Sequence, residues 1–221
     1  MSSAMSSKKT LTLYLLRHGE TEASREHLFC GSRTEFDLTP EGQAMAENFA
    51  QAYRDHEWRA IYSSPQRRAR ATAAPLCMAL GIEPEIAEDL REIDYGSWEG
   101  LTTTEVNARF HDAHVAWGAD PGWHAPTGGE TGANIALRVL KVIDQVRSKH
   151  KDGDILMVSH KATIRVLLCA LLGIDVGRFR VRFDCPTASL SIVELTRNGP
   201  MLRTLADRSH LSAELRELAG T

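Results

Sequence analysis

Two apolar stretches of the chain show the same pattern: each is followed by polar residues that include a histidine. Residues 11–16 are followed directly by Arg17 and His18, and residues 155–158 end shortly before His160. Short apolar runs that stop at polar residues are typical of buried strands. Ligands of α/β sheets bind beyond the carboxyl ends of the strands, so we expect both histidines at one such edge.

The rest of the pattern alternates helices with strands. The clearest amphipathic helix is predicted at residues 134–147, where one apolar stripe consists of Ile135, Val139, Val142, Ile143 and Val146. Helices are also predicted at residues 40–54, 66–80 and 162–172, and strands at residues 59–63, 189–195 and 201–205. This alternation predicts an α/β fold, a three-layer α/β/α sandwich with a mostly parallel sheet.

The length of 221 residues favours a single domain. We expect residues 1–10 to be a disordered lead-in and residues 11–221 to form the domain. Within it, residues 102–126 are weakly periodic and are expected to form a cap-like insertion.

Composition and charge limit the classes of partner and the cellular location that we expect. The formal net charge of -3 and the pI of about 6.3 exclude the basic field of a typical nucleic-acid-binding protein. No apolar run is long enough to span a bilayer, and the first residues lack the apolar core of a signal peptide. The cysteines have no CxxC spacing, which favours reduced thiols and a cytoplasmic location; they are Cys30, Cys77, Cys169 and Cys185.

The histidine-ended strands belong to motifs that follow one another along nearly the whole chain. LRHGET at residues 16–21 resembles the signature of the histidine phosphatase superfamily, in its phosphoglycerate-mutase-like branch. SSPQRRA at residues 63–69 resembles the second arginine motif of this family and places Arg68 in the pocket. The other similar segments are residues 90–92 with 95–100, residues 129–131 with Arg138, residues 158–160 and residues 207–211.

The resemblance implies a phosphatase that hydrolyses small phosphomonoesters through a phosphohistidine on His18. It places the general acid and base at Glu92, and the groups that bind the phosphoryl oxygens at Arg17, Arg68 and His160. A positioned imidazole splits one slow hydrolysis into two easier steps, and guanidinium groups meet the charge that develops on the phosphoryl oxygens. These cationic groups can replace a metal, so no metal ion and no cofactor are expected.

Substrate contacts are expected at Ser24, Cys30, Gly31, Lys161 and Glu130. Two of them depart from the family pattern, because Ser24 replaces a common asparagine and Lys161 replaces a common glycine. Lys161 either brings positive charge to an anionic substrate or is a solvated lysine in the first turn of a helix. Glu130 either contacts substrate or the second arginine, or meets the dipole of a helix N-terminus.

Three alternatives remain open at the level of sequence. One is a 2,3-bisphosphoglycerate-dependent phosphoglycerate mutase, although residues 102–131 contain a single arginine, Arg109, and no lysine. Another is a non-catalytic phosphate-binding protein on the same fold. The third is a metal site at His111, His114 and His124, for which chance clustering is the simpler account. The expected partner is a small phosphorylated metabolite, and residues 181–195 are a candidate homodimer contact.

Overall fold

The computed structural model describes residues 10–218. The expected lead-in therefore falls almost wholly outside the described residues. In chain order the strands and helices are β1 Leu11–Arg17, α1 Glu22–Arg25, α2 Pro40–Tyr53, β2 Trp58–Ser63, α3 Arg67–Leu80, β3 Glu85–Ile86, α4 Thr103–Arg109, α5 His111–Ala119, α6 Gly132–Lys149, β4 Gly153–Ser159, α7 Lys161–Leu172, α8 Phe179–Arg182, β5 Leu190–Thr196, β6 Gly199–Asp207 and α9 Ala213–Glu217.

One six-stranded sheet has the order β3-β2-β4-β1-β5-β6. Strands β1 to β4 run parallel, whereas β5 is antiparallel to β1 and pairs with β6 as an antiparallel hairpin. The predicted mostly parallel sheet is confirmed, and so is the predicted hairpin, in which β5 begins one residue later than predicted and β6 is longer than the sequence pattern indicated.

The two faces of the sheet are covered by different helices, because alternate residues of a strand point to opposite faces. Leu13 and Leu15 of β1 belong to one apolar cluster with the buried stripe of α6 and most of α7. Leu16, on the opposite face, packs with residues of α2 and α3. Each fully buried leucine contributes about 1.5–3 kcal/mol relative to an exposed one. The result is the predicted three-layer α/β/α sandwich.

Helix ends follow the local signals in the sequence. Thr39 caps α2 by accepting a hydrogen bond from the Gly42 amide, and Pro40 occupies the first helical position. Gly81 and Gly173 end α3 and α7 in the left-handed conformation, at φ 67° and 69°.

Residues 102–126 contain two helices, α4 and α5, that the sequence pattern did not predict. They pack through a cluster that joins Trp98, Val106 and Trp117, with Phe29 and Tyr95 at its border. Trp98 is fully buried there, as expected for a packing anchor.

Candidate active site

The register of β1 against β4 brings the two histidines together. Arg17 pairs with Ser159 at the end of this parallel ladder, and the His18 amide donates a 3.0 Å hydrogen bond to the Ser159 carbonyl. His18 and His160 directly follow the two strands, and their ring centroids lie 5.1 Å apart. Because the two histidines follow neighbouring parallel strands, they form one buried site at the carboxyl edge of the sheet.

His18 is held in a defined orientation by the backbone that follows it. Its Nδ1 lies 2.7 Å from the Gly19 carbonyl oxygen, so Nδ1–H donates this bond in the neutral tautomer and Nε2 carries the lone pair. Burial, and then the charges of Arg68 and Arg17, hold the pKa of His18 well below its usual value. The imidazole is therefore neutral at neutral pH.

Gly19 is required by the close approach of α2. A Cβ atom at this position would lie 2.5 Å from the carbonyl oxygen of Gly42, which no ordinary side chain tolerates. The glycine that follows the histidine thus lets the first turn of α2 pack directly against the site backbone.

His160 is also neutral in this arrangement. Its Nε2 lies 2.7 Å from Ser64 Oγ, while its buried Nδ1 has no hydrogen-bond partner among the described residues. Burial and the nearby charge of Arg68 lower its pKa well below the usual range. Because both histidines are neutral, the positive charge near them comes from guanidinium groups.

Two buried arginines supply that charge. Arg17 is 4% exposed and donates from Nη1 to the Cys185 carbonyl at 2.7 Å; burial lowers its pKa to about 10, so it stays protonated at neutral pH. Arg68, 1% exposed in the first turn of α3, donates to the carbonyls of Gly31 and Thr34 at 3.0 and 3.2 Å. Arg17 Nε is buried without a partner among residues 10–218, which leaves donor capacity at the site.

Glu92 reaches the same site from the loop after β3, where it meets the N-terminus of α7. Its Oε1 accepts hydrogen bonds from the Ile93 and Thr163 amides, at 2.9 and 3.1 Å. The Thr163 hydroxyl lies 3.1 Å from the same oxygen but donates to the Arg91 carbonyl at 2.7 Å. Its Oε2 accepts from the Ala162 amide at 3.1 Å. The side chain is thus a buried cap of this helix, held mainly through Oε1.

Arg138 on α6 stabilises the loop that contains Glu92. Arg138 donates to the carbonyls of Asp89 and Glu92, at 2.6 and 3.3 Å. Its guanidinium also bonds both carboxylate oxygens of Glu130, at 2.8 and 3.0 Å. The pair is mostly buried, with 6% and 12% of the two side chains exposed.

Most of these side chains line a cavity of about 80 Å³, which we call the small cavity. Its predicted members are Arg17, His18, Ser24, Cys30, Arg68, Glu92 and Lys161. Burial raises the pKa of the Cys30 thiol, which therefore stays protonated at neutral pH. His160 lies beside His18 behind this lining, and Gly31 contributes its carbonyl to Arg68.

The predicted substrate contact at Glu130 is not supported by the structure. Glu130 lies outside the lining of the small cavity, because its carboxylate is bound by Arg138 and its amide by the Asp94 carbonyl. The sequence left open a contact with the second arginine, Arg68, but the arginine that binds Glu130 is Arg138.

Sequence reasoning overlooked a second cavity that adjoins the first. This large cavity, of about 400 Å³, shares Tyr95 and Lys161 with the small cavity and is also lined by Arg165 and Arg180. Arg165 follows Lys161 by one helical turn, a spacing that places both on one face of α7 and was available in the sequence. Arg180 gave no such signal, because α8 is too short to show a period.

The histidines of the cap segment do not form a metal site. His111 and His114 both lie near the side-chain oxygen of Asn107, at 3.1 and 3.3 Å. In the part of the chain that the structure describes, no group of three or more His, Cys, Asp or Glu residues is arranged to hold a metal ion. Over the same residues, no helix combines the length and apolarity needed to cross a membrane.

Comparisons with known proteins agree with this geometry. Residues 13–208 match the histidine phosphatase superfamily (branch 1). The chain is 31% identical over 199 residues to phosphoserine phosphatase 1 of Hydrogenobacter thermophilus, covering 90% of this chain and 93% of that protein. It is 33% identical over 176 residues to the glucosyl-3-phosphoglycerate phosphatase of Mycolicibacterium vanbaalenii, covering 76% and 77% of the two chains. The solved α-ribazole phosphatase of Shigella flexneri superimposes with a TM-score of 0.82 at 25% identity, covering 91% and 98%.

The chain therefore belongs to branch 1 of the histidine phosphatase superfamily. Within that family its relatives are phosphatases of small phosphorylated molecules, and the protein is a hydrolase of the histidine phosphatase type.

Proposed function

We propose that the protein hydrolyses small phosphomonoesters by way of a phosphohistidine on His18, without a metal ion. The observation that carries this proposal is the state of His18, whose Nδ1 is bound to the Gly19 carbonyl and whose pKa is well below its usual value. Nε2 is then an unprotonated nucleophile at neutral pH, next to two guanidinium groups.

In the first step His18 Nε2 attacks phosphorus, and the bond from phosphorus to the ester oxygen breaks. Arg17 and Arg68 meet the charge that spreads over the phosphoryl oxygens, and their fixed positions avoid reorganisation during the reaction. His160 lies against the nucleophile and adds its imidazole to the phosphate-binding groups. The leaving alkoxide takes a proton from Glu92.

In the second step Glu92 removes a proton from water, and the water oxygen attacks phosphorus and frees His18. Oε1 of Glu92 accepts from two backbone amides, so we assign the proton to Oε2, which accepts a single hydrogen bond among the described residues.

Hydrolysis is favoured over the mutase reaction by the cap segment. Arg109, the single arginine in residues 102–131, has its guanidinium 5.3 Å from the ring centre of Phe110. Residues 102–131 therefore offer no cluster of cations to hold a bisphosphate. Phosphate release from 3-phosphoglycerate, with and without 2,3-bisphosphoglycerate, separates the two reactions.

The proposal is tested by trapping the intermediate. Wild-type protein mixed with a ³²P-labelled phosphomonoester and quenched in alkali should carry an acid-labile phosphoryl group. His18→Ala should lose both the label and turnover while keeping the wild-type circular dichroism spectrum. Undiminished turnover by this variant would overturn the mechanism.

A further inference from the structure

The large cavity is where the alcohol part of a substrate has to lie. The small cavity, of about 80 Å³, contains the nucleophile and both arginines, whereas the adjoining large cavity measures about 400 Å³. Tyr95 and Lys161 line both cavities and so mark the passage between them. A phosphoryl group held at His18 therefore directs its ester oxygen and carbon skeleton toward the large cavity.

The large cavity contains more positive charge than the neighbouring protein neutralises. Lys161 and Arg165 lie one turn apart on α7, and Arg180 joins them from α8. Arg165 meets Asp184 at 3.4 Å, but that carboxylate is 78% exposed and such pairs are weak. Within residues 10–218, neither Lys161 nor Arg180 has a carboxylate oxygen within 4.0 Å, the limit for an ion pair.

Packing and burial, rather than a buried carboxylate, hold Arg165 and Arg180 in place. The guanidinium of Arg180 lies over the ring of Trp117, 4.0 Å from its centroid. Arg165 has 12% of its side chain exposed, and its buried Nε has no hydrogen-bond partner among the described residues. Burial and the charges of Arg17 and Arg165 lower the pKa of Lys161 to about 8. Such repulsion is costly unless an anion relieves it.

The lining of the large cavity also includes four aromatic side chains, those of Phe29, Tyr95, Trp117 and Phe179. Phe29 and Tyr95 pack edge to face with centroids 5.0 Å apart, and Phe29 contacts Trp117 in the same way at 5.7 Å. Aromatic side chains next to a group of cations suit a ligand whose carbon skeleton ends in an anionic group.

We infer that the alcohol part of the substrate carries a second anionic group, a carboxylate or a phosphate, which Lys161, Arg165 and Arg180 bind in the large cavity. Tyr95 and Phe29 contact the carbon skeleton between the two anions. This inference rests on the proposed phosphatase reaction and adds a substrate class to it.

The test compares substrates that differ only in the second anion. The carboxylate pair is 3-phosphoglycerate and glycerol 3-phosphate, and the phosphate pair is fructose 1,6-bisphosphate and fructose 6-phosphate. For at least one pair, kcat/KM of the wild type should be about 10- to 100-fold higher with the charged member, the usual value of a charge-assisted contact. The pair that shows the preference identifies the anion.

The variants Arg165→Gln and Arg180→Gln should each reduce that preference about 10-fold or more, by lowering kcat/KM of the charged member far more than that of the neutral member. Arg182→Gln is the matched control, because Arg182 lies on the same short helix as Arg180 and lines neither cavity. It should leave the preference unchanged. Thermal unfolding of all three variants checks that the fold is retained.

The outcomes separate this inference from the reaction on which it rests. If p-nitrophenyl phosphate is hydrolysed in a His18-dependent way but both pairs give ratios near one, the anion site is wrong and the phosphatase proposal stands. A preference that survives in both arginine variants would also overturn the anion site. If hydrolysis does not depend on His18, the phosphatase mechanism itself fails.

Discussion

The two neighbouring cavities are built by different means. In the small cavity, polar groups arrive on strand ends and helix N-termini and are fixed by buried hydrogen bonds, such as His18 to the Gly19 carbonyl and Glu92 to the α7 amides. In the large cavity, Arg165 and Arg180 project from helix surfaces next to aromatic side chains. Backbone hydrogen bonds thus fix the proposed reaction centre, whereas side chains on helix surfaces form the proposed anion site. Changes in the small cavity should affect every substrate, and changes in the large cavity only some.

The largest effect that tests this comparison is expected for Glu92→Gln. Glutamine keeps size and polarity but delivers no proton, so hydrolysis of alkyl phosphates should slow by roughly 10²- to 10⁴-fold. Nitrophenol needs no proton to leave, so p-nitrophenyl phosphate should give a burst followed by slow turnover. Stopped-flow absorbance measures the burst and the steady state separately.

Asp89→Asn is the matched control for this experiment. Asp89 lies on the same loop, pairs with Arg91 at 3.1 Å and lines neither cavity, so its loss should leave both phases nearly unchanged. Equal losses in the burst for alkyl and nitrophenyl substrates would show that Glu92 positions the phosphate. Asp94 would then need testing as the acid.

The next effect is on stability and concerns the buried ion pair of Arg138 and Glu130. Glu130→Gln leaves the buried charge of Arg138 without its partner, which should lower the free energy of unfolding by about 3 kcal/mol. KM should change little, because Glu130 lines neither cavity. Urea denaturation and steady-state kinetics measure the two quantities.

The control for Glu130 is the exposed carboxylate of Glu57, whose change to glutamine should stay within about 0.5 kcal/mol. A raised KM with unchanged stability for Glu130→Gln would restore the direct substrate contact that the sequence suggested.

The same contrast explains which features were predictable from sequence. The strand ends at His18 and His160 were predicted, because apolar runs mark buried strands and parallel strands end at one edge. Arg68 and Glu92 were located through family motifs, and their roles remain predictions. α4 and α5 were missed, because they are stabilised by packing on Trp98 and Trp117 rather than by a stripe of their own.

Glu130 shows why motif membership does not specify a contact. It lies in a segment that resembles the family, eight residues before Arg138, and only the folded chain shows that the two side chains bind each other. Arg180 contacts Trp117 across a long sequence separation, so no local pattern predicted its place in the large cavity.

A smaller effect is expected in the pH dependence of stability. The pKa values of His18 and His160 lie well below 6.5 in the folded protein, so below that pH the unfolded chain binds protons that the folded chain does not. Stability is therefore fully present above about pH 6.5 and falls as the pH decreases, by about 1.4 kcal/mol per pH unit for each histidine. Urea denaturation between about pH 7 and 5 measures this slope.

In this series, His160→Gln should flatten the slope by about 1.4 kcal/mol per pH unit, because one depressed histidine is removed. The absolute stability of the variant is not the readout, since a buried side chain is replaced. A slope equal to that of the wild type would show that folding does not lower the pKa of His160.

The smallest effect is expected from chelation. We place the positive charge of the reaction centre on Arg17 and Arg68, which are buried and bound to backbone carbonyls, so removal of divalent cations should leave kcat and KM unchanged. Exhaustive dialysis against EDTA, followed by assay with an alkyl phosphate, measures this directly, and an EDTA-inactivated zinc enzyme controls for chelation. Loss of activity with recovery on adding Mg²⁺, Mn²⁺ or Zn²⁺ would place a metal in the reaction. Substitution of His111 and His114 would then show whether residues 102–126 bind the metal. If they do, this segment would form part of the reaction centre.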